Sequence, residues 1–323
     1  MNLHTNIGAF QNAVQVTGRN TNIIPDFIEK DYWISLILKN LSESNYVDSV
    51  VFKGGTSLSK GHKLINRFSE DIDIAVIISH NIITGNKIKT LIRTVEKEIA
   101  RDLKEYEVEG ITSKGSRFRK AVYKYPKILK QRREIAISDS IIVEINSFAN
   151  PFPHSKVTIQ SMIGEYLQNN NQTELISKYG LTPFEISVLN KEQTLIEKLV
   201  SLIRFSFAKN PVESISEKIR HFYDLYHLMN NEQCKNYVNS GQFIAELKKV
   251  IEHDRKQFDE PIGWNEKKIN ESPLIKDFNS IWGALKTTYT KELSMLAFTK
   301  IPEEKDVAIK FKELITILKT LTE

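Results

Sequence analysis

Apolar residues change their spacing along this chain. In the first half, short β-branched runs are separated by segments of helical period; beyond residue 153 nearly all the patterns are helical. Ile7, Phe10, Val14 and Val16 predict a modest helix over 6–15. Pro25-Asp26 predicts the start of a second from Phe27 to Leu41, with Ile28, Trp33, Leu36, Ile37 and Leu41 for burial and Glu29-Lys30-Asp31 on a solvated face. Val50-Val51-Phe52 predicts the end of a buried strand and Lys53-Gly54-Gly55-Thr56-Ser57 a sharp turn. Leu58 to Arg67 has the spacing of a helix with one basic side, and Asp71 to Ile78 that of a strand. A turn over Asn81–Asn86 and an amphipathic helix over Ile88–Tyr106 follow. Three strand-like stretches come next, 106–113, 117–128 and 135–148, with a bulge or turn at Ser138-Asp139-Ser140.

Asn150-Pro151-Phe152-Pro153-His154 breaks the pattern and marks an expected boundary between domains 1–152 and 153–323. In the second, helices are expected at 159–168, 191–207, 214–229, 243–258, 274–296 and 307–321, with a turn at Thr182-Pro183-Phe184. The expected class is α+β, a strand-bearing domain followed by a helical one. A length of 323 residues suits two cores, and 41% hydrophobic with 26% charged residues is the balance of a soluble globular protein. The net charge of +5 is too small to argue for a nucleic-acid partner by itself. The single cysteine, Cys234, excludes an internal disulfide and a cysteine-based zinc site. No leader-like N-terminus or membrane-length apolar run is evident, so a cytoplasmic location is expected.

The chemistry concentrates between Val50 and Ala75. Residues two apart on a strand share a face, so Asp71 and Asp73 stand side by side while Ile72 and Ile74 point into the core. Two adjacent ionised carboxylates repel, and a divalent cation with a taste for hard oxygen ligands, Mg²⁺ above all, removes the conflict. With a glycine turn and a basic segment beside them, the pair describes a site for a metal-bound triphosphate. No histidine spacing suits a metal, and neither Ser57 nor Ser59 has a sequence-evident base.

The order K-G-G-T-S-L followed by R-F-S-E-D-I-D resembles the AbiEii/MenT-type nucleotidyltransferases, a branch of the polymerase β-like superfamily. I-E-K-D-Y-W (28–33) resembles that family's N-terminal helix, Thr194-Leu195-Ile196-Glu197-Lys198-Leu199 its lysine helix, and Arg220-His221-Phe222-Tyr223-Asp224-Leu225 a third motif. The resemblance implies a mixed, mostly antiparallel sheet with helices, completed by a helical domain across an active cleft. It implies NMP transfer from an NTP to an acceptor, tRNA by the family's habit, by a growth-inhibiting toxin of an abortive-infection or toxin–antitoxin system with a cognate antitoxin. Asp71 and Asp73 would hold Mg²⁺ (Mn²⁺ being an alternative), and Gly54, Gly55, Thr56 and Ser57, with Lys53 and Arg67, would bind the nucleotide. Lys60, Arg67 and Lys198 would neutralise phosphate charge, and Asp224 would orient Lys198 or bind substrate. Without the resemblance, Lys198 is an ordinary surface lysine and Arg220–Asp224 an ordinary helix ion pair.

Glu144 lies in an otherwise apolar strand, Ile141–Asn146, where an unpaired buried carboxylate is costly. By the resemblance it is the third metal acid; otherwise it is a solvent-facing edge residue. Lys114 to Arg133 holds nine basic residues, including Arg117, Arg119, Lys120, Lys124, Lys130, Arg132 and Arg133, and no acid, with Phe118, Tyr123 and Tyr125 between them. Such a segment suits RNA, by phosphate neutralisation and base stacking, or else a solvated hairpin. Two rivals remain at this level: transfer of the nucleotide to a protein hydroxyl, and a non-catalytic RNA- or partner-binding module on a decayed transferase fold.

Overall fold

The computed structural model describes residues 2–78, 85–129 and 138–320. The turn expected at Asn81–Asn86 falls largely outside them, as do Lys130, Arg132, Arg133 and the start of the strand expected at 135. The chain forms two compact units, one of residues 1–63 and 68–189, the other of 64–67 and 190–323.

The first unit contains helices α1 (Ile7–Thr21), α2 (Pro25–Ser42), α3 (Gly54–Lys60), α4 (Gly85–Ile99), α5 (Met162–Asn169) and α6 (Thr173–Lys178). Its strands are β1 (Val50–Lys53), β2 (Asp71–Val76), β3 (Lys104–Tyr106), β4 (Ser113–Lys114), β5 (Phe118–Lys124), β6 (Ser140–Asn146), β7 (His154–Ile159) and β8 (Phe184–Leu189). They build one mixed sheet in the order β3-β5-β6-β2-β1-β8-β7, with β4 on β5; β2–β6 and β1–β8 are parallel and the other pairings antiparallel. The mixed, mostly antiparallel sheet is thus present. The first unit runs past the expected boundary at 152, through β7 and β8 to Leu189. The turn expected at Thr182-Pro183-Phe184 runs straight into an unforeseen strand, Phe184–Leu189, which pairs antiparallel with β7 along its length and parallel with β1.

Strand alternation sets the core. On β6, Ile141, Val143 and Ile145 are buried while Ser140, Ile142, Glu144 and Asn146 are partly exposed. On β2, Ile72 and Ile74 are wholly buried between half-exposed acids. Helix α2 has Pro25 at its first turn and apolar residues on every side, and it is buried almost throughout. The helical spacing of Leu58–Arg67 is realised only as far as Lys60; Arg67 instead makes an isolated antiparallel bridge with Ala297.

The second unit is helical: α7 (Lys191–Phe205), α8 (Pro211–Ser216), α9 (Arg220–Asn230), α10 (Glu232–Val238), α11 (Gly241–Gln257), α12 (Pro273–Lys276), α13 (Phe278–Leu296) and α14 (Glu304–Leu318). Phe222, Phe278, Trp282 and Phe311 form its aromatic centre, with ring centroids 4.8–6.5 Å apart. Among the described residues no helix is long and apolar enough to cross a membrane.

Candidate active site

In the first unit, register places four charged residues in one row across four adjacent strands. Lys120 of β5 stands opposite Glu144 of β6, Glu144 opposite Asp73 of β2, and Asp73 opposite Lys53 of β1. Directly paired residues share a face about 5 Å apart, so the row runs cation, acid, acid, cation. Asp71 lies two residues from Asp73 on the same strand face. The Lys120 ammonium meets the Glu144 carboxylate at 2.6 Å. Partial burial works against the Lys120 charge, but Glu144, with Asp71 and Asp73, outweighs it and raises the lysine's pKa.

The glycine turn is built against this row. Gly54 has φ +80°, and a Cβ there would run into the Asp73 carboxylate, so only glycine lets the backbone lie under that acid. Thr56 donates its hydroxyl to the backbone oxygen of Asp71, and Ser57 donates to Gly54 O at 2.8 Å. Both hydroxyls are buried, so they fix the turn to β2 and themselves. Gly54 and Gly55 are the first residues of α3, so helix begins where a turn was expected.

Mg²⁺ typically takes one or two protein carboxylates and completes its shell with water and substrate phosphates. Asp71 and Asp73, partly exposed neighbours on one face, fit that demand. Among the described residues no three His, Cys, Asp or Glu side chains converge into a ready-made shell. Glu144 shares the row, but its carboxylate is engaged with Lys120.

In the second unit, α7 and α9 bring Lys198 and Asp224 together. Asp224 is wholly buried and receives Lys198 Nζ at 2.8 Å and the Arg67 guanidinium in a two-pronged contact, Nε at 2.8 Å and Nη2 at 2.6 Å. Burial alone would raise the carboxyl's pKa; Arg67 and Lys198 overcome it and hold Asp224 far below the usual carboxylate range. Lys198 is therefore no surface lysine, and the partners of Asp224 are Arg67 and Lys198 where the plain helix reading had Arg220. His221 Nδ1 is buried without a hydrogen bond, and burial, then Lys198, push its pKa well below the ordinary value, so the ring is neutral at pH 7.

The basic segment behaves otherwise than its composition implies. Arg119 is buried against Glu96, which also accepts a 2.8 Å hydrogen bond from Tyr123. Tyr125 is buried and stacked on Trp33. Lys127 pairs with Asp26 at 2.9 Å, and Lys114 with Glu105 and Glu107. Arg117 and Lys124 are exposed, Lys124 lying 4.2 Å from the Tyr106 ring centre. The strand alternation that sends Lys124 outward sends Tyr123 and Tyr125 into the core, which takes them away from any base.

Sequence reasoning missed the interior charges of α2. Glu29, Lys30 and Asp31, expected on a solvated face, are all buried. Glu29 accepts from Ile128 N at 2.6 Å, Lys30 lies 3.4 Å from Glu70, and Asp31 binds Lys60 Nζ and accepts from Met162 N at 2.7 Å. The signal was present: with Phe27, Ile28, Tyr32, Trp33, Ile34, Leu36, Ile37 and Leu38 around it, this helix has no solvent face to offer. Lys60, a candidate for phosphate charge, is buried as the partner of Asp31.

A family model described as "Nucleotidyl transferase AbiEii toxin, Type IV TA system" matches residues 36–311. Among solved structures, MenT4, a nucleotidyltransferase toxin from Mycobacterium tuberculosis H37Rv, is similar with a TM-score of 0.53 at 16% identity, over 96% of this chain and 90% of that one. At that identity the likeness concerns the fold. No curated protein matches this chain.

Proposed function

This chain belongs to the AbiEii family of nucleotidyltransferase toxins of type IV toxin–antitoxin systems, and we propose that it transfers a nucleoside monophosphate from a metal-bound NTP to RNA, with tRNA as the acceptor. The observation that carries the reading is the Asp71–Asp73 pair on β2, set against Gly54, where an added Cβ would meet the Asp73 carboxylate. The pair would hold Mg²⁺, or Mn²⁺ in its place, which when bound supplies charge neutralisation for the triphosphate and the leaving pyrophosphate. The backbone of the Gly54-Gly55 turn lies beside those acids and would receive the phosphates. Asp224 holds Lys198 and Arg67 in place, and fixed cations of this kind would stabilise charge on a transferring phosphoryl group. Among the described residues of the basic segment, Arg117 and Lys124 are exposed and would be available to an RNA backbone, whereas Arg119 is buried. The family supplies a cognate antitoxin as partner, and the reaction would place the protein in the cytoplasm.

The acceptor is tested by incubating the protein with Mg²⁺, total tRNA and each of the four α-labelled NTPs in turn. Label is expected on RNA with one preferred nucleotide. Label on protein in the presence of untouched tRNA would replace RNA by a protein hydroxyl as acceptor.

A further inference from the structure

The row Lys120–Glu144–Asp73–Lys53 sets two cations against two acids, and Asp71 lies two residues from Asp73 on the same strand face. A three-acid site for a free divalent cation would keep its acids uncompensated. Here one of them is closed by a lysine from the neighbouring strand, at 2.6 Å. Both side chains are about three-quarters buried, with 28% of Lys120 and 22% of Glu144 exposed, so the pair is neither a loose surface contact nor sealed in the core. The strands holding it are fixed by an unbroken seven-residue ladder, Phe118–Lys124 against Ser140–Asn146. The backbone of Lys120 is thereby held beside that of Glu144.

We propose that Lys120 is a built-in counter-ion of the metal site. It occupies Glu144 in the nucleotide-free protein, weakens binding of free metal, and leaves the Asp71–Asp73 pair to accept a metal that arrives already on a triphosphate. Phosphates bound there would supply the negative charge that Lys120 has cancelled and would offer its ammonium a second acceptor. Lys120 is thereby a positioning residue that selects the metal–nucleotide complex over the bare ion, and its role is at the acids and not on an RNA backbone. This rests on the proposed metal–nucleotide reading of the same site.

The test is Mn²⁺ binding to the full chain, followed by electron paramagnetic resonance, with and without non-reacting α,β-methylene NTP analogues. Lys120→Gln should bind free Mn²⁺ about tenfold more tightly than the native protein, the order expected for removing one partly solvated unit charge a few ångströms away. Lys120→Arg, which keeps the charge, should stay near native. Adding Glu144→Gln to Lys120→Gln should erase the gain, because the released acid provides it. Equal or weaker free Mn²⁺ binding by a folded Lys120→Gln protein would overturn the proposal. The underlying reading fails separately: in that case Asp71→Asn/Asp73→Asn binds Mn²⁺ with the analogue as well as native protein does.

Discussion

At the scale of single residues, Asp224 shows how far a sequence motif can carry and where it stops. Its place in R-H-F-Y-D-L marked it as an acid near Lys198, and the structure puts Lys198 Nζ 2.8 Å from it. That Arg67 should close on the same carboxylate could not be read from the chain, because the two are 157 positions apart. Asp224→Asn leaves two buried cations without their counter-charge and should cost about 3–5 kcal/mol of stability at neutral pH. The sign with pH follows from the depressed carboxyl. Its contribution is complete above the unfolded value, about 4, and is lost as pH falls toward the lower folded value. The gap in melting temperature between native and Asp224→Asn should therefore be widest above about pH 5 and narrow below about pH 4. A gap that widened on acidification would contradict the assignment. At Gly54, the substitution Gly54→Ala meets both the positive φ and the Asp73 carboxylate. The left-handed backbone alone costs about 1–2 kcal/mol. Nucleotidyl transfer by Gly54→Ala should fall at least about a hundredfold with the far-UV circular dichroism retained; activity within twofold of native would count against the turn.

At the scale of elements, periodicity located nearly every helix of the second unit and the two strands that carry Asp71, Asp73 and Glu144. It failed where tertiary partners decide. β8 went unforeseen: it is held between β7, which it pairs along its whole length, and the parallel edge of β1. The basic segment misled for a related reason: composition shows how many cations a stretch carries, whereas the pleat decides which of them reach solvent. Helix α2 gives the opposite lesson, since its charges are interior ties to α3, Glu70 just before β2, α5 and the β5–β6 connection. Asp31→Asn would leave the Lys60 ammonium buried without a counter-charge while keeping an acceptor for Met162 N, at a cost of about 3 kcal/mol. Adding Lys60→Met should recover much of that loss. Denaturant melts of the two single variants and the double variant measure it, and strictly additive losses would show that the pair is not coupled.

At the scale of the whole molecule, the sequence separated a sheet-bearing part from a helical part but set the break at the Pro151–Pro153 cluster. Prolines there interrupt local structure, yet the chain returns to the same sheet for two more strands. The short segment 64–67 groups with the second unit although the sequence on both sides of it belongs to the first. What was most legible was the meeting of the glycine pair with Asp71 and Asp73, because they lie within twenty residues of each other on neighbouring elements.

As proposed above, Asp71 and Asp73 are the acids of a metal-dependent nucleotidyl transfer. The most direct measurement is pyrophosphate release from NTP in the presence of Mg²⁺ and total tRNA, by native protein and by the Asp71→Asn/Asp73→Asn variant. Release matched one-for-one by nucleotide incorporated into RNA is expected, with a loss of at least about a thousandfold in the variant. A folded variant that released pyrophosphate at the native rate would contradict it.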